Sequence, residues 1–257
     1  MGDIDFNNYD VTGQKDYLKY FKMYSYPKKI RLGNDYDGGY VIGDININYD
    51  CYISAGVSYE DSFSRDFIPR YNMNRFNSFA FDGTINSYPE GFTKDITFVK
   101  KNINIFDDKN NTTLYDLLKE HNNIFLKMDI EGCEYPWFSK LPMNYLRKIK
   151  QLTVEFHKVN EDSFDAKLEE KIKCWEKICT THYLIHAHAN NWSETISDNI
   201  PCSLEFTYVV KDYFQQPLKL NISELPINID RPNNQQIPEI ALNFYPFVNF
   251  DIRQLFI

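Results

Sequence analysis

Basic runs, long apolar runs and paired cysteines are all missing from this 257-residue sequence, and each absence removes a class of function. The net charge is -8 and the densest basic stretch is Lys28-Lys29 with Arg31. That is too little to neutralise a row of phosphates, so no nucleic-acid partner is expected. No segment approaches the roughly 18 consecutive apolar residues of a membrane span. The start, MGDIDFNNYD, is polar and acidic, unlike a signal peptide, and Phe6 stands where a myristoylation signal would carry Ser or Thr. No membrane association is expected. Cys51, Cys133, Cys174, Cys179 and Cys202 are odd in number and never spaced Cys-x-x-Cys. This disfavours a zinc ribbon or disulfide framework and points to reduced thiols in the cytoplasm. Internal repeats and low-complexity linkers are also absent.

What is present is ordinary globular composition, 43% hydrophobic and 25% charged, enough for one well-buried core. The expected organisation is a single domain over 1–257. An N-terminal helix and glycine-rich turn occupy 1–45, an α/β core 46–211, and an irregular extension 212–257, which carries Pro217, Pro226, Pro232, Pro238 and Pro246. Apolar spacing predicts a helix over 14–24, then strands at 51–55, 79–81, 96–99, 123–128, 152–156, 183–187 and 204–210. Helices are predicted at 60–68, at 111–120 with Thr112 or Thr113 as cap, through Trp137 and Phe138, and at 161–179. Strands separated by helices imply a parallel sheet, and the last pair, joined by a polar loop, implies one antiparallel strand.

In an open α/β sheet the ligand lies beyond the carboxyl ends of the strands, so the residues after each strand carry the chemistry. After the first come Ser54, Ala55 and Gly56, whose glycine permits close backbone approach. A full Gly-x-Gly-x-x-Gly is lacking, and Glu60 and Asp61 at the helix start would repel a pyrophosphate, which makes a dinucleotide a poor fit. A cationic sulfonium tolerates those acids better. Asp82 ends the second strand, where a carboxylate can accept from ribose hydroxyls. The fourth strand runs into LKMDIEGCE, three carboxylates within six residues, a crowding that favours a shared cation.

LKMDIEGCEYPWF resembles the signature of FkbM-type methyltransferases and their methyltransferase-like relatives, K-[IM]-D-[IV]-E-G-x-E. RLGNDYDGGYVI, YISAGVSYEDSF, FAFDGT and LTVEFH fit the same pattern, so that the resemblance runs over roughly residues 30–210. It implies a Rossmann-like class I methyltransferase with a seven-stranded, mostly parallel sheet, the last strand antiparallel and helices on both faces. It also implies S-adenosylmethionine as cofactor and a small-molecule or carbohydrate hydroxyl as acceptor. On this reading Ser54, Ala55, Gly56, Glu60, Ser62 and Phe63 surround the cofactor's amino-acid end and ribose. Asp82, with Gly83 and Thr84, holds the ribose, Lys101 and Asn102 border the adenine, and Asp129 adjoins the cofactor. AGVSYE departs from methyltransferases that show a second glycine.

Period-two alternation puts Glu155 and His157 on one side of the fifth strand, and His186 and His188 on one side of the sixth. His157 is the first choice as general base, with Asp129 second and Glu155 beside them. Glu131, His186, His188 and Asn190 are the candidate acceptor contacts. In an alternative, Asp129 and Glu155 hold Mg²⁺, with His157 or an Asn completing the shell. Rival readings are a dinucleotide-dependent oxidoreductase and a non-catalytic binding protein of the same fold.

Overall fold

The computed structural model describes residues 16–192 and 200–249. After a 3-10 turn at Asp16–Phe21, β1 (Lys29–Leu32) and β2 (Tyr40–Gly43) form an antiparallel hairpin. Next come β3 (Cys51–Ala55), α1 (Ser62–Arg70), β4 (Ser78–Phe81) and β5 (Thr97–Val99). A small parallel pair, β6 (Asn102–Ile103) and β7 (Asn111–Thr112), leads to α2 (Tyr115–Glu120) and β8 (Ile124–Met128). The chain continues through α3 (Glu134–Lys140), α4 (Met143–Leu146), β9 (Ile149–Phe156), α5 (Leu168–Thr181), β10 (His182–Ala189) and β11 (Leu204–Val210).

Seven strands make one sheet in the order β10-β11-β9-β8-β3-β4-β5. β11 runs antiparallel to both of its neighbours, and the other pairs are parallel. The chain builds outward from β3 to β4 and β5, then returns to the other side of β3 at β8. Strand order therefore reverses between β3 and β8, which opens a crevice beyond their carboxyl ends.

Both faces of the sheet are covered, as the all-buried pattern of β3 requires. Cys51, Ile53 and Ala55 pack into one cluster with residues of α2, α3, α4 and α5, while Tyr52 points into the other with Phe63 and Phe67 of α1 and Tyr40 and Ile42 of β2. The second face is thus shared between one helix and the hairpin. Toward β10 that face turns polar: Thr153, Glu155, Glu205, Thr207, His186 and His188 are all buried there, opposite Val154, Phe156, Phe206 and Ala187.

Several predicted elements differ. The helix expected over 14–24 is a short 3-10 turn, and the chain then bridges from Met23 to Leu184 and from Tyr24 to Leu220; residues 14 and 15 lie outside the described residues. α2 starts only at Tyr115, because Asn111–Thr112 pairs with β6 and Leu114 takes a left-handed φ of 64°. α5 starts at Leu168, not near 161, because Asp162 and Ser163 side chains bond the backbone of Leu168 and Ala166 and hold a loop there. Among the described residues beyond the 3-10 turn Lys211–Tyr213 there is no helix or multi-residue strand. Leu225, Leu242, Phe247 and Val248 bury themselves from this segment. All five cysteines are free, and no described helix is long and apolar enough to cross a membrane.

Candidate active site

At the reversal point lies a cleft of about 730 Å³. Its floor depends on Gly56, which has a φ of 78° and lies so close to β8 that a Cβ would strike the Asp129 carbonyl oxygen. The loop that follows is held from β4. Asp82 Oδ2 accepts the backbone N–H groups of Val57 and Ser58 at 3.1 and 2.7 Å. Its Oδ1 accepts the Thr84 N–H and hydroxyl at 2.8 and 2.6 Å. Burial would raise the Asp82 pKa, but these donors outweigh it and hold the carboxyl below its ordinary range. Four accepted bonds already fill the sites a carboxylate offers. Asp82 is therefore first the clamp between two loops, and a ribose would compete with Thr84 for it.

The hairpin completes the cleft. Arg31 closes the glycine-rich turn by donating to the Asn34 and Tyr36 carbonyls. Asn34 then donates its backbone N–H to Ser62 Oγ at 2.9 Å and its amide to Glu60 at 3.0 Å, docking the turn on the start of α1. Glu60 also accepts the Ser62 N–H at 2.7 Å, so it ends the loop and starts the helix. This docking presents Asp37, Gly38 and Tyr40 to the cleft.

Of the residues expected around a cofactor, Gly56, Glu60, Asp82, Gly83, Thr84, Lys101, Asn102 and Asp129 line the cleft, as does Glu131. Ser54, Ala55, Ser62 and Phe63 do not, which corrects what the resemblance implied for them. Ser54 and Ala55 are still inside β3, Ser62 anchors the hairpin, and Phe63 is a core ring stacked with Phe67 and Phe125.

Beside the cleft, Asp129, Glu155 and His157 gather ligand atoms within 4.8 Å of one another. His157 Nε2 lies 3.8 Å from Asp129, 3.2 Å from Glu131 and 3.5 Å from Glu155, and Nδ1 lies 3.3 Å from Glu134. Burial alone would lower the His157 pKa; the Glu134 hydrogen bond and the charges of Glu155, Glu134 and Asp129 outweigh it and raise the pKa to about 10. The ring therefore keeps its proton at neutral pH, which disfavours His157 as the base. Glu155 is raised well above its usual range by burial, then by Asp129 and Glu205. Asp129 accepts from the Tyr40 hydroxyl at 3.3 Å and keeps a more open carboxylate than Glu155.

The remaining acceptor candidates do not line the cleft. Asn190 donates to Glu155 at 2.7 Å. His186 faces Asp230 at 2.9 Å and is pushed down by burial, so a neutral ring donates to that carboxylate. His188 lies 3.1 Å from both Glu205 and Glu239; the Glu205 charge and the hydrogen bonds to both carboxylates overcome burial and lift its pKa to about 10. Both histidines are closed over by the C-terminal segment that supplies Asp230 and Glu239. Sequence reasoning gave no role to Tyr40, Asp37 or Lys127. The signal for Lys127 was available: a charge inside the otherwise apolar strand IFLKM.

The strand order defines a mixed α/β protein with a cleft at the topological switch. A family model of the methyltransferase FkbM domain matches residues 33–188, from the glycine-rich turn through β10, and the chain belongs to that family. It is thereby a methyltransferase. No curated protein and no solved structure gives a significant match.

Proposed function

We propose that the protein is a Rossmann-like class I enzyme that transfers the methyl group of S-adenosylmethionine to a hydroxyl of a small-molecule or carbohydrate acceptor. The observation that carries this reading is the Asp82 clamp, which shapes one continuous cleft from Tyr40 and Gly56 to Asn102 and Asn104. In that cleft the cofactor's amino-acid end lies by Gly56, its ribose by Thr84, and its adenine by Lys101 and Asn102. The many acids disfavour a pyrophosphate and suit a sulfonium.

Transfer is in line: the acceptor oxygen forms a bond to the methyl carbon as the carbon–sulfur bond breaks and its electrons stay on sulfur. Alignment and exclusion of water supply much of the rate, up to roughly 7–11 kcal/mol in favourable cases. The hydroxyl proton passes to Asp129, which Tyr40 orients. The charged His157 ring steadies Asp129, Glu131 and Glu155 together.

The carboxylates and imidazole of Asp129, Glu155 and His157 also suit a divalent ion such as Mg²⁺, and these residues would hold it in place of the ring's proton. When bound, such an ion would lower the pKa of the acceptor hydroxyl.

Calorimetric titration with S-adenosylmethionine and S-adenosylhomocysteine, with and without Mg²⁺, is the test. Micromolar 1:1 binding is the expected result. Asp129→Asn should keep that binding and lose about 10²–10⁴-fold in turnover. Wild type that binds neither compound under either condition removes the reading.

A further inference from the structure

Lys127 is 7% exposed in a central strand, flanked on both sides by β3 and β9. Its Nζ reaches the cleft, donates to the Gly56 carbonyl at 3.3 Å and stands 5.1 Å from the centre of the Tyr40 ring. Among the described residues it has no carboxylate partner within ion-pair distance. An ammonium has three donors, and one long bond plus an aromatic face leaves two of them unmet. Those two face the cleft, where water or the acceptor atoms of a ligand can meet them.

The surroundings narrow the ligand. Asp37, on the same cleft, is near enough for its charge to feel Lys127, Asp129 and Glu205 without pairing with the lysine. Glu60, Asp129 and Glu131 also line the cleft. A polyphosphate would meet all of these acids. A zwitterionic amino-acid group would not, because it brings one charge of each sign to a place that holds both. Gly56 fixes the position, since Lys127 emerges directly beneath the loop.

We propose that Lys127 anchors the α-carboxylate of the methyl donor, with Asp37 on the side of its α-ammonium. This rests on the S-adenosylmethionine reading above. The lysine then acts in recognition and sets the donor's depth, so that the methyl group faces Asp129.

The full chain is titrated with S-adenosylhomocysteine and with 5′-deoxy-5′-methylthioadenosine, whose sulfur carries only a methyl group in place of the amino-acid chain. Wild type is expected to bind the first more tightly. Lys127→Met should weaken that binding by about 30-fold or more and leave the second unchanged, and Lys127→Arg should restore part of the loss. Retained methylthioadenosine binding shows that the variant's cleft is intact. Equal loss of both ligands in Lys127→Met and Lys127→Gln alike assigns a structural role, and loss of neither leaves the lysine with no part in donor binding; either result overturns the proposal. Wild type that binds neither ligand overturns the donor reading, and the proposal with it.

Discussion

Four carboxylates, from Asp129, Glu131, Glu134 and Glu155, face the two ring nitrogens of His157 at 3.2 to 3.8 Å. The ring's pKa is raised from 6.5 to about 10, so the folded protein binds this proton more tightly than the unfolded chain does. The stabilisation is fully present below about pH 6.5 and is lost as pH rises through about 10. His157→Gln should therefore be less stable than wild type at pH 6, with the gap shrinking toward pH 10. Urea midpoints measured across that range give the answer, and a gap that grows with pH would contradict the assigned charge. Asp129 was legible in the sequence because an acid directly after an apolar strand is hard to explain otherwise. The protonation of His157 was not, since it depends on Glu134 and Glu155, whose side chains meet only when β9 lies beside β8.

At the level of elements, α5 shows what one amphipathic helix contributes. Its Trp175 ring meets Tyr17, Phe21, Tyr135 and Phe156 with centroids 4.8 to 6.1 Å away, joining the N-terminal turn, α3 and β9. Trp175→Ala should cost about 3–5 kcal/mol, read as a lower urea midpoint with an unchanged slope. A loss below about 1 kcal/mol would mean that the site collapses around the gap.

The strands were the legible part of this fold. Those at 51–55 and 204–210 match to the residue, because short apolar runs bounded by polar turns leave little freedom. Helix starts were less legible, since side chains such as Asp162 and Ser163 compete locally for the same backbone groups. β1 was missed outright: KIRL carries two basic residues, and only the docking of Asn34 on α1 explains its pairing. Phe63 came to the cofactor's surroundings by the resemblance alone, whereas its ring belongs to the core.

Over the whole molecule, ligand and stability are linked. If the cleft holds S-adenosylhomocysteine, a ligand concentration 100 times its Kd adds about 2.7 kcal/mol to the folded state. For a chain of this size that is a rise in Tm of roughly 5–11 °C. A scanning melt with and without the compound tests this, and an unchanged Tm would argue against binding to the native state.

β11 comes last among the strands yet lies between β9 and β10. During synthesis, the ribosome releases β9 and β10 well before the segment that joins them exists. Until residues 204–210 emerge, a gap one strand wide separates β10 from the five strands that begin at β9, and the β9 edge is open to pairing with a neighbouring chain. The order in which the polypeptide is made thus leaves its nascent form open to self-association until residues 204–210 are available, and the strand that ends this interval is the one that runs backwards.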